Sequence, residues 1–592
     1  SPSLFLSDGS EIRVTPSPFG DIGNINIDVR DEISLSGSGI SAFVDFGGVA
    51  PDSGDINIQA ESLSLSDGSF IRTLIPNPPE DVSDAGNINI DVRDRVALAN
   101  SLIASSVFGT TGQISIRARS LSLTDGAQIR SDIVSQLSSA GNIEINVEDL
   151  ASITGANEAG YSSGIFASID SSEGRGGNIT VTAPLLRVWD GAVLNAQTRS
   201  GGRGGDIVVN ASTFEAINGG QLITTTFGGG RAGNIILNIT DRAIIEGQDL
   251  VYPNRIARLA EADASIAPVK LKIPIESGAS GLFSNTGAGV SPASGLFANT
   301  DADPASIENA SATIGNAGDI QLRANFVGLD RGAFLSSETT TGTGGNITVQ
   351  ARNLQLRNNS GISTTAGRSG AGGNGGNIII DAQTIVGLEN SDIAANAFDG
   401  SGGQIEINAD GIFGLETISR EELQNRLGTD DLAQFENPNQ LLDSSDIVAI
   451  SQTNPALSGQ IVFNVQDPNP ASGLVELPEN VIDPSAILNR NPCQQRGDSK
   501  FTITGRGGIA PGPRESQGGD AVWADLRPPS WQAREAQKPV AAAPAPSPSM
   551  RIVEATSLVV GHDGEIILVA ETPDKAPSHG SWASPTTCSG NR

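Results

Sequence analysis

Carboxylates set beside turns are the side chains of this 592-residue sequence best suited to chemistry. Asp190, Asp206 and Asp241 each stand next to a glycine or at the end of a short aliphatic run. Acid–base cleavage of a polysaccharide needs such groups to converge, and a lyase adds calcium or a basic residue. Here they recur at repeat positions, which is how turn residues are distributed. The two histidines, His562 and His579, both lie near the C-terminus, so no His-based triad or His-rich metal site is expected. The stretch GGNGGNIIID at 372–381 is similar to one glycine-rich calcium nonapeptide, but those work in tandem arrays and this copy is single. Arg496-Gly497-Asp498 spells an integrin-recognition tripeptide, and three residues specify little. No catalytic, cofactor-binding or metal-binding residue is assigned, and the chain is read as a non-enzyme that needs no cofactor.

Charge narrows the partners. With 36 Lys and Arg against 67 Asp and Glu, the net charge is −31. Nucleic acid is not an expected partner, because phosphate contacts need clustered cations. Glycine is abundant, 71 residues, while aromatics are only 4%. That suits a narrow core of Ile, Val, Leu and Ala. No run of about 18 apolar residues is present to span a bilayer as a helix.

The element that must position any site is a repeat. A glycine, a short polar residue and alternating aliphatics recur as GNINIDV, GDINIQA, GQISIRA, GNITVTA, GDIVVNA and GNIIIDA, among others. The glycines are Gly23, Gly54, Gly86, Gly112, Gly141, Gly177, Gly205, Gly233, Gly318, Gly345, Gly376, Gly403 and Gly459. A fixed period of this kind signals a solenoid. The unit from Gly176 to Arg203 predicts three short strands, Asn178–Thr182, Leu185–Val188 and Ala192–Ala196, the last after an Asp190-Gly191 turn. Such a unit cannot bury its aliphatic face alone, and stacking in parallel about 4.8 Å apart solves this.

The expected fold is therefore all-β, a right-handed parallel β-helix. Ile25, Ile88, Ile143, Ile179 and Ile347 would share an interior ladder. Asn24, Asn87, Asn142, Asn178, Asn234, Asn346 and Asn377 would form a corner ladder of amides bonded to one another, and Gly176 and Gly177 would supply positive φ. Residues 1–483 divided by the repeat give roughly 17 turns and a rod about 80 Å long. A propeller or sandwich is the competing architecture; blades are longer and carry aromatic signatures, and none is seen. Two long gaps, near 250–275 and 419–435, hold weakened copies or insertions. A short helix is expected at Arg255–Ala262. Another is expected after Ser419, an N-cap with Glu422 as capping-box partner. Such excursions are either ligand-contacting loops or tolerated decoration.

After about residue 484 the repeat stops. Residues 484–527 form an end region containing Cys493, 528–549 a Pro/Ala-rich linker, and 550–592 a hairpin about His562-Asp563-Gly564 with a tail, a small β cap for the solenoid. Residue 1 already lies within a repeat: LFLSDGSEIR at 4–13 matches LSLSDGSFIR at 63–72 and LSLTDGAQIR at 121–130. The sequence is thus expected to be the C-terminal portion of a longer protein.

These repeats, with the segments SSDIVAISQTNPALSGQIVFNVQDPNPASGLVELPENVIDP (444–484), NPCQQRGDSKFTITGRGGIAPGPRE (491–515) and DAVWADLR (520–527), resemble the filamentous-haemagglutinin-like exoproteins of two-partner secretion, in their cyanobacterial form. The resemblance implies export through an outer-membrane transporter and residence at or beyond the cell surface, in a family that includes adhesins and S-layer-like proteins. It implies a surface glycan or protein ligand of unspecified kind. The family's N-terminal secretion domain has no match here. Export would permit a Cys493–Cys588 disulfide closing a loop worth about 4 kcal/mol in the chain-entropy model; two free thiols are the alternative. A carbohydrate-active β-helix enzyme, lyase or hydrolase, stands as the rival function.

Overall fold

The computed structural model describes residues 2–465, apart from 256–280, 284–314 and short stretches between other strands, together with 557–560 and 566–569. The chain divides into two units, Ser1–Leu474 and Val475–Arg592. The first is a parallel β-helix. Its two walls are a sheet of 17 strands and a sheet of 14, here called the wide and narrow walls.

Alternation builds both walls. In Ile179–Trp189, Ile179, Val181 and Ala183 face the core, and then Leu186 and Val188 do so. The phase slips once, at Pro184 and Leu185, where two successive residues point outward and the strand rounds a corner. The two strands expected on either side of this corner are therefore a single strand. In the first turns they are separate, as Ile25–Asp28 and Glu32–Ser36; from Ile114–Thr124 onward they fuse.

Register places one residue type in one column. Ile25, Ile56, Ile88, Ile114, Ile143, Ile179, Ile207, Ile235, Ile320, Ile347, Ile378, Ile405 and Ile461 are successive partners along the wide wall. The opposing narrow wall aligns Ile12, Ile40, Ile71, Ile103, Ile129, Ile165, Leu194 and Leu222. Between them runs a continuous aliphatic core, nearly all of it inaccessible to water. Each fully buried side chain stabilises by about 1.5–3 kcal/mol relative to exposure.

Both long gaps prove to be single turns carrying insertions. Ile235 pairs directly with Ile320, and Gln404 with Gln460. Division by 28 therefore overcounted the turns. Twelve steps of the isoleucine column span about 60 Å at the usual strand spacing, against the 80 Å expected.

Positive φ falls elsewhere than expected. It occurs at the Asp-Gly turns, as at Asp190 (53°) and Gly191 (76°), and not at Gly176 or Gly177. Gly177 belongs to a column in which each glycine touches the backbone of the last: a Cβ there would lie well under 3.0 Å from the Gly141 carbonyl oxygen. Close approach, rather than handedness of the backbone, selects glycine at this corner.

The second excursion contains helix α1 (Arg420–Leu427). Ser419 caps it, its Oγ accepting from the Glu422 N–H at 3.2 Å, and Gly428 ends it in the left-handed conformation. The Glu422 side chain does not return to Ser419. It takes a hydrogen bond from Arg426 at 2.6 Å, an i,i+4 pair. In the first excursion Tyr252, Asn254 and Arg255 are helical, while residues 256–262 of the expected helix lie outside the described residues. In the second unit Ser557–Val560 pairs antiparallel with Ile566–Val569, as the hairpin reading requires. The end region and linker, with Cys493, Cys588, His562, His579 and the 496–498 tripeptide, lie outside the described residues.

Candidate functional site

The asparagine ladder exists, but its chemistry differs from that expected. Each side-chain oxygen accepts from the backbone N–H one turn on, Asp takes the place of Asn at some rungs, and Gln113 and Gln404 end the two runs as backbone donors. Asn24 Oδ1 accepts from Asp55 N–H (2.9 Å), Asp55 from Asn87 (2.7 Å) and Asn87 from Gln113 (2.8 Å). A second run passes from Asn142 through Asn178, Asp206, Asn234, Asp319, Asn346 and Asn377 to Gln404. Amide-to-amide bonds occur instead on the outer surface, from Asn57 to Asn26 and from Asn89 to Asn57.

The three carboxylates singled out from sequence sit at three different corners of neighbouring turns. Asp206 is a rung of the ladder and is paired with Arg203 at 3.1 Å. Asp190 occupies the left-handed turn and accepts from Asn218 at 3.0 Å. Asp241 pairs with adjacent Arg242. Each has a structural partner, and they do not form one cluster. Among the described residues no group of three or more His, Cys, Asp or Glu is arranged to hold a metal. The GGNGGN segment supplies a backbone bridge at Gly372, and Asn374 Oδ1 accepts from the Ser401 backbone N–H at 2.9 Å.

Two buried polar clusters, neither foreseen, anchor the excursions. The first lies beneath 416–452. Asp392 on the narrow wall accepts from Asn439 Nδ2 (2.9 Å) and from the Asp446 N–H (3.0 Å). Asn439 in turn accepts from Asn396, which takes the Ile450 N–H, each at 3.0 Å. Burial pushes the Asp392 carboxyl up to about 7 despite these donors, and the charge of Asp446 adds to the rise. Burial raises Asp446 as well. An apolar cluster of Ile418, Leu423, Leu432, Leu442, Val448 and Ile450 packs alongside.

The second cluster starts the 250–275 excursion. Arg255 and Asp249 form an ion pair at 2.8 Å with side chains only 5% and 4% exposed, and Arg255 also donates to the Gly191 carbonyl at 3.0 Å. Burial pushes Asp249 up and Arg255 down, each partly restored by its partner. This salt bridge staples the excursion to the Asp-Gly turns.

The outer face of the narrow wall carries a third feature. One column pointing away from the core reads Arg13, Ser41, Arg72, Ala104, Arg130, Phe166, and of these Ser41, Ala104, Arg130 and Phe166 are buried. Arg13 lies 4.2 Å over the Phe43 ring, Arg72 4.2 Å over Phe70, and Arg130 5.4 Å over Phe166. Such stacking holds guanidinium groups flat against apolar surface. No protein-family model, curated protein or solved structure matches the chain.

Proposed function

We propose that the chain is the structural shaft of a secreted or surface-displayed exoprotein of adhesive type. The observation that carries this reading is the unbroken stack of inward isoleucines, which makes a rigid scaffold with long, repetitive lateral faces. A solenoid of this kind is approximately one-dimensional, so its faces extend with each added turn without a new core. The 416–452 excursion, pinned by its own buried polar cluster, is an ordered projection from that scaffold. Export through an outer-membrane two-partner-secretion transporter, and an S-layer-like or adhesin role at the cell surface, follow from the sequence resemblance. The acidic surface, net charge −31, keeps such shafts apart in solution.

The carbohydrate-active enzyme reading draws less support. Its natural acids, Asp190, Asp206 and Asp241, are engaged in turns and ladders at separate corners.

Protease shaving and antibody labelling of intact producing cells test the proposal. Labelling before lysis is expected. A full-length protein seen only after lysis would end the reading.

A further inference from the structure

We propose that two copies of the chain pair side by side through the outer face of the wide wall, between the turns of Ile179 and Ile378. This goes beyond the adhesive reading and holds whether or not the chain is exported.

The make-up of that face supplies the first argument. Register places Thr180, Val208, Ile236, Gln321, Thr348 and Ile379 in one outward column, and a second column two residues on runs from Thr182 to Asp381. None of these side chains is buried, and Ile379 is 36% exposed. Over these six turns the two columns hold one cation, Arg323, and one anion, Asp381. Gln350 joins them, accepting from Arg323 at 2.7 Å and donating to Asp381 at 3.5 Å. The strip is therefore neutral on a chain of net charge −31. Nearer the N-terminal end the same columns hold Asp28, Asp91 and Glu144 against Arg117, so neutrality is local. Depletion of charge around exposed aliphatic side chains marks the centre of a protein interface.

Hydrogen-bonding capacity supplies the second. Asn238 Nδ2 donates to Asn210 Oδ1 at 2.9 Å, and Asn210 Nδ2 donates to Thr182 Oγ1 at 3.4 Å. An amide offers two N–H groups and two acceptor sites, so these axial bonds leave each Asn with a donor and an acceptor to spare. Amide ladders beside aliphatic columns pack well when two sheets meet face to face.

Geometry supplies the third. A two-fold axis lying in the plane of the face and across the shaft sets the copies antiparallel and lays each column on the same column of its partner. With full overlap Val208 meets Thr348, and Asn210 meets Gln350. Both faces repeat at about 4.8 Å, so one registration serves all six turns. Strands about 17 Å long over six turns cover about 500 Å² a side, or about 1,000 Å² in all. That is the lower bound of a specific interface, so pairing is reversible and concentration-dependent.

Sedimentation velocity of the full chain over a concentration series is the test. A monomer is expected at low ionic strength, where the acidic surfaces repel. A dimer is expected in about 0.5 M NaCl, where screening shortens that repulsion to a few ångströms. Ile236→Lys should weaken pairing about a hundredfold, because a symmetric dimer buries the unpaired ammonium twice. Gln59→Lys, exposed on the same wall four turns short of the strip, should leave pairing unchanged. If Ile236→Lys misfolds by circular dichroism, Ile379→Lys carries the same expectation from an exposed position. A chain monomeric at every salt and concentration, a dimer that survives both lysine changes, or equal loss with Gln59→Lys would each overturn the proposal. So would a high-salt monomer that binds dextran until Ile236 is replaced, which would give the strip to a neutral glycan. None of these results touches the adhesive reading, which surface labelling tests separately.

Discussion

Along the wide wall one contact is made over and over, whereas beneath the 416–452 excursion each contact is made once. An isoleucine at the head of the wide-wall strand meets an isoleucine above and below, and the corner ladder hands a backbone N–H to a side-chain oxygen at most turns. Loss of one rung leaves its neighbours intact. The excursion depends on a chain of single-copy bonds from Ile450 through Asn396 and Asn439 to Asp392. Loss of any of them has no duplicate to fall back on. The wall is thus robust by repetition and the excursion specific by uniqueness, which is the division expected of a scaffold and its projections.

The largest effect should come from the one feature of the wall that repetition cannot forgive. Gly205→Ala would drive a Cβ into the Gly177 carbonyl, a backbone atom that no rotamer change can move aside. We expect a loss of about 3 kcal/mol or more, confined to turns near 177–233 and seen as local loss of amide protection in hydrogen exchange. Protection falling evenly along the whole shaft would show that the turns are not independent and would break the comparison.

Next in size is a pH effect confined to the excursion. The Asp392 carboxyl is raised in the folded state to about 7 from an ordinary value of 3.8. Between those values the folded state keeps a proton that the unfolded state has lost, so stability falls as pH rises. The slope is at most about 1.4 kcal/mol per pH unit; the contribution is full below the ordinary value and gone above about 7. Asp446, also raised, adds in the same direction. Hydrogen exchange at 420–450 should therefore accelerate from pH 5 to pH 7, relative to the wide wall at the same intrinsic rates. Asp392→Asn should flatten that difference. An equal trend in both regions would mean that Asp392 is not its source.

Smaller still is Ser419→Ala. It removes the acceptor for the Glu422 N–H and should cost about 1 kcal/mol. Fraying at α1, with the wall unchanged, is the expected hydrogen-exchange result.

The same contrast governs what could be read from sequence. All thirteen repeat glycines named the correct column, because each stands two residues before an aligned isoleucine. The Asp-Gly turn and the Ser419 cap were legible because they are local. Fusion of two strands around the corner was present as a signal, the seven-residue step from Ile179 to Leu186, which shifts inward phase with no glycine or asparagine between. Asp55, Asp206 and Asp319 were passed over in the ladder although they offer the same Oδ1 acceptor as Asn. The arginine column was visible in EIR, FIR and QIR, the last residues of three matching segments. No local pattern could reveal the Asp392 cluster, whose partners lie 47 and 54 residues away in a segment that does not repeat.

The smallest change tests redundancy itself. Asn178→Ala removes one acceptor, that for the Asp206 N–H, from a solvent-facing corner. A hydrogen bond of this kind is worth about 0.5–1.5 kcal/mol, and water can replace the lost partner, so the lower figure is expected. The ladder continues on both sides, from Asn142 and through Asp206 to Asn234, and the isoleucine column is untouched. Chemical denaturation should therefore show a shift near the limit of detection. If two separated rungs, Asn178 and Asn346, are replaced together, the effects should add, because the sites share no partner. A double variant much weaker than the sum would show that the ladder acts as one cooperative strut, and the wall would then resemble the excursion more than its repetition suggests.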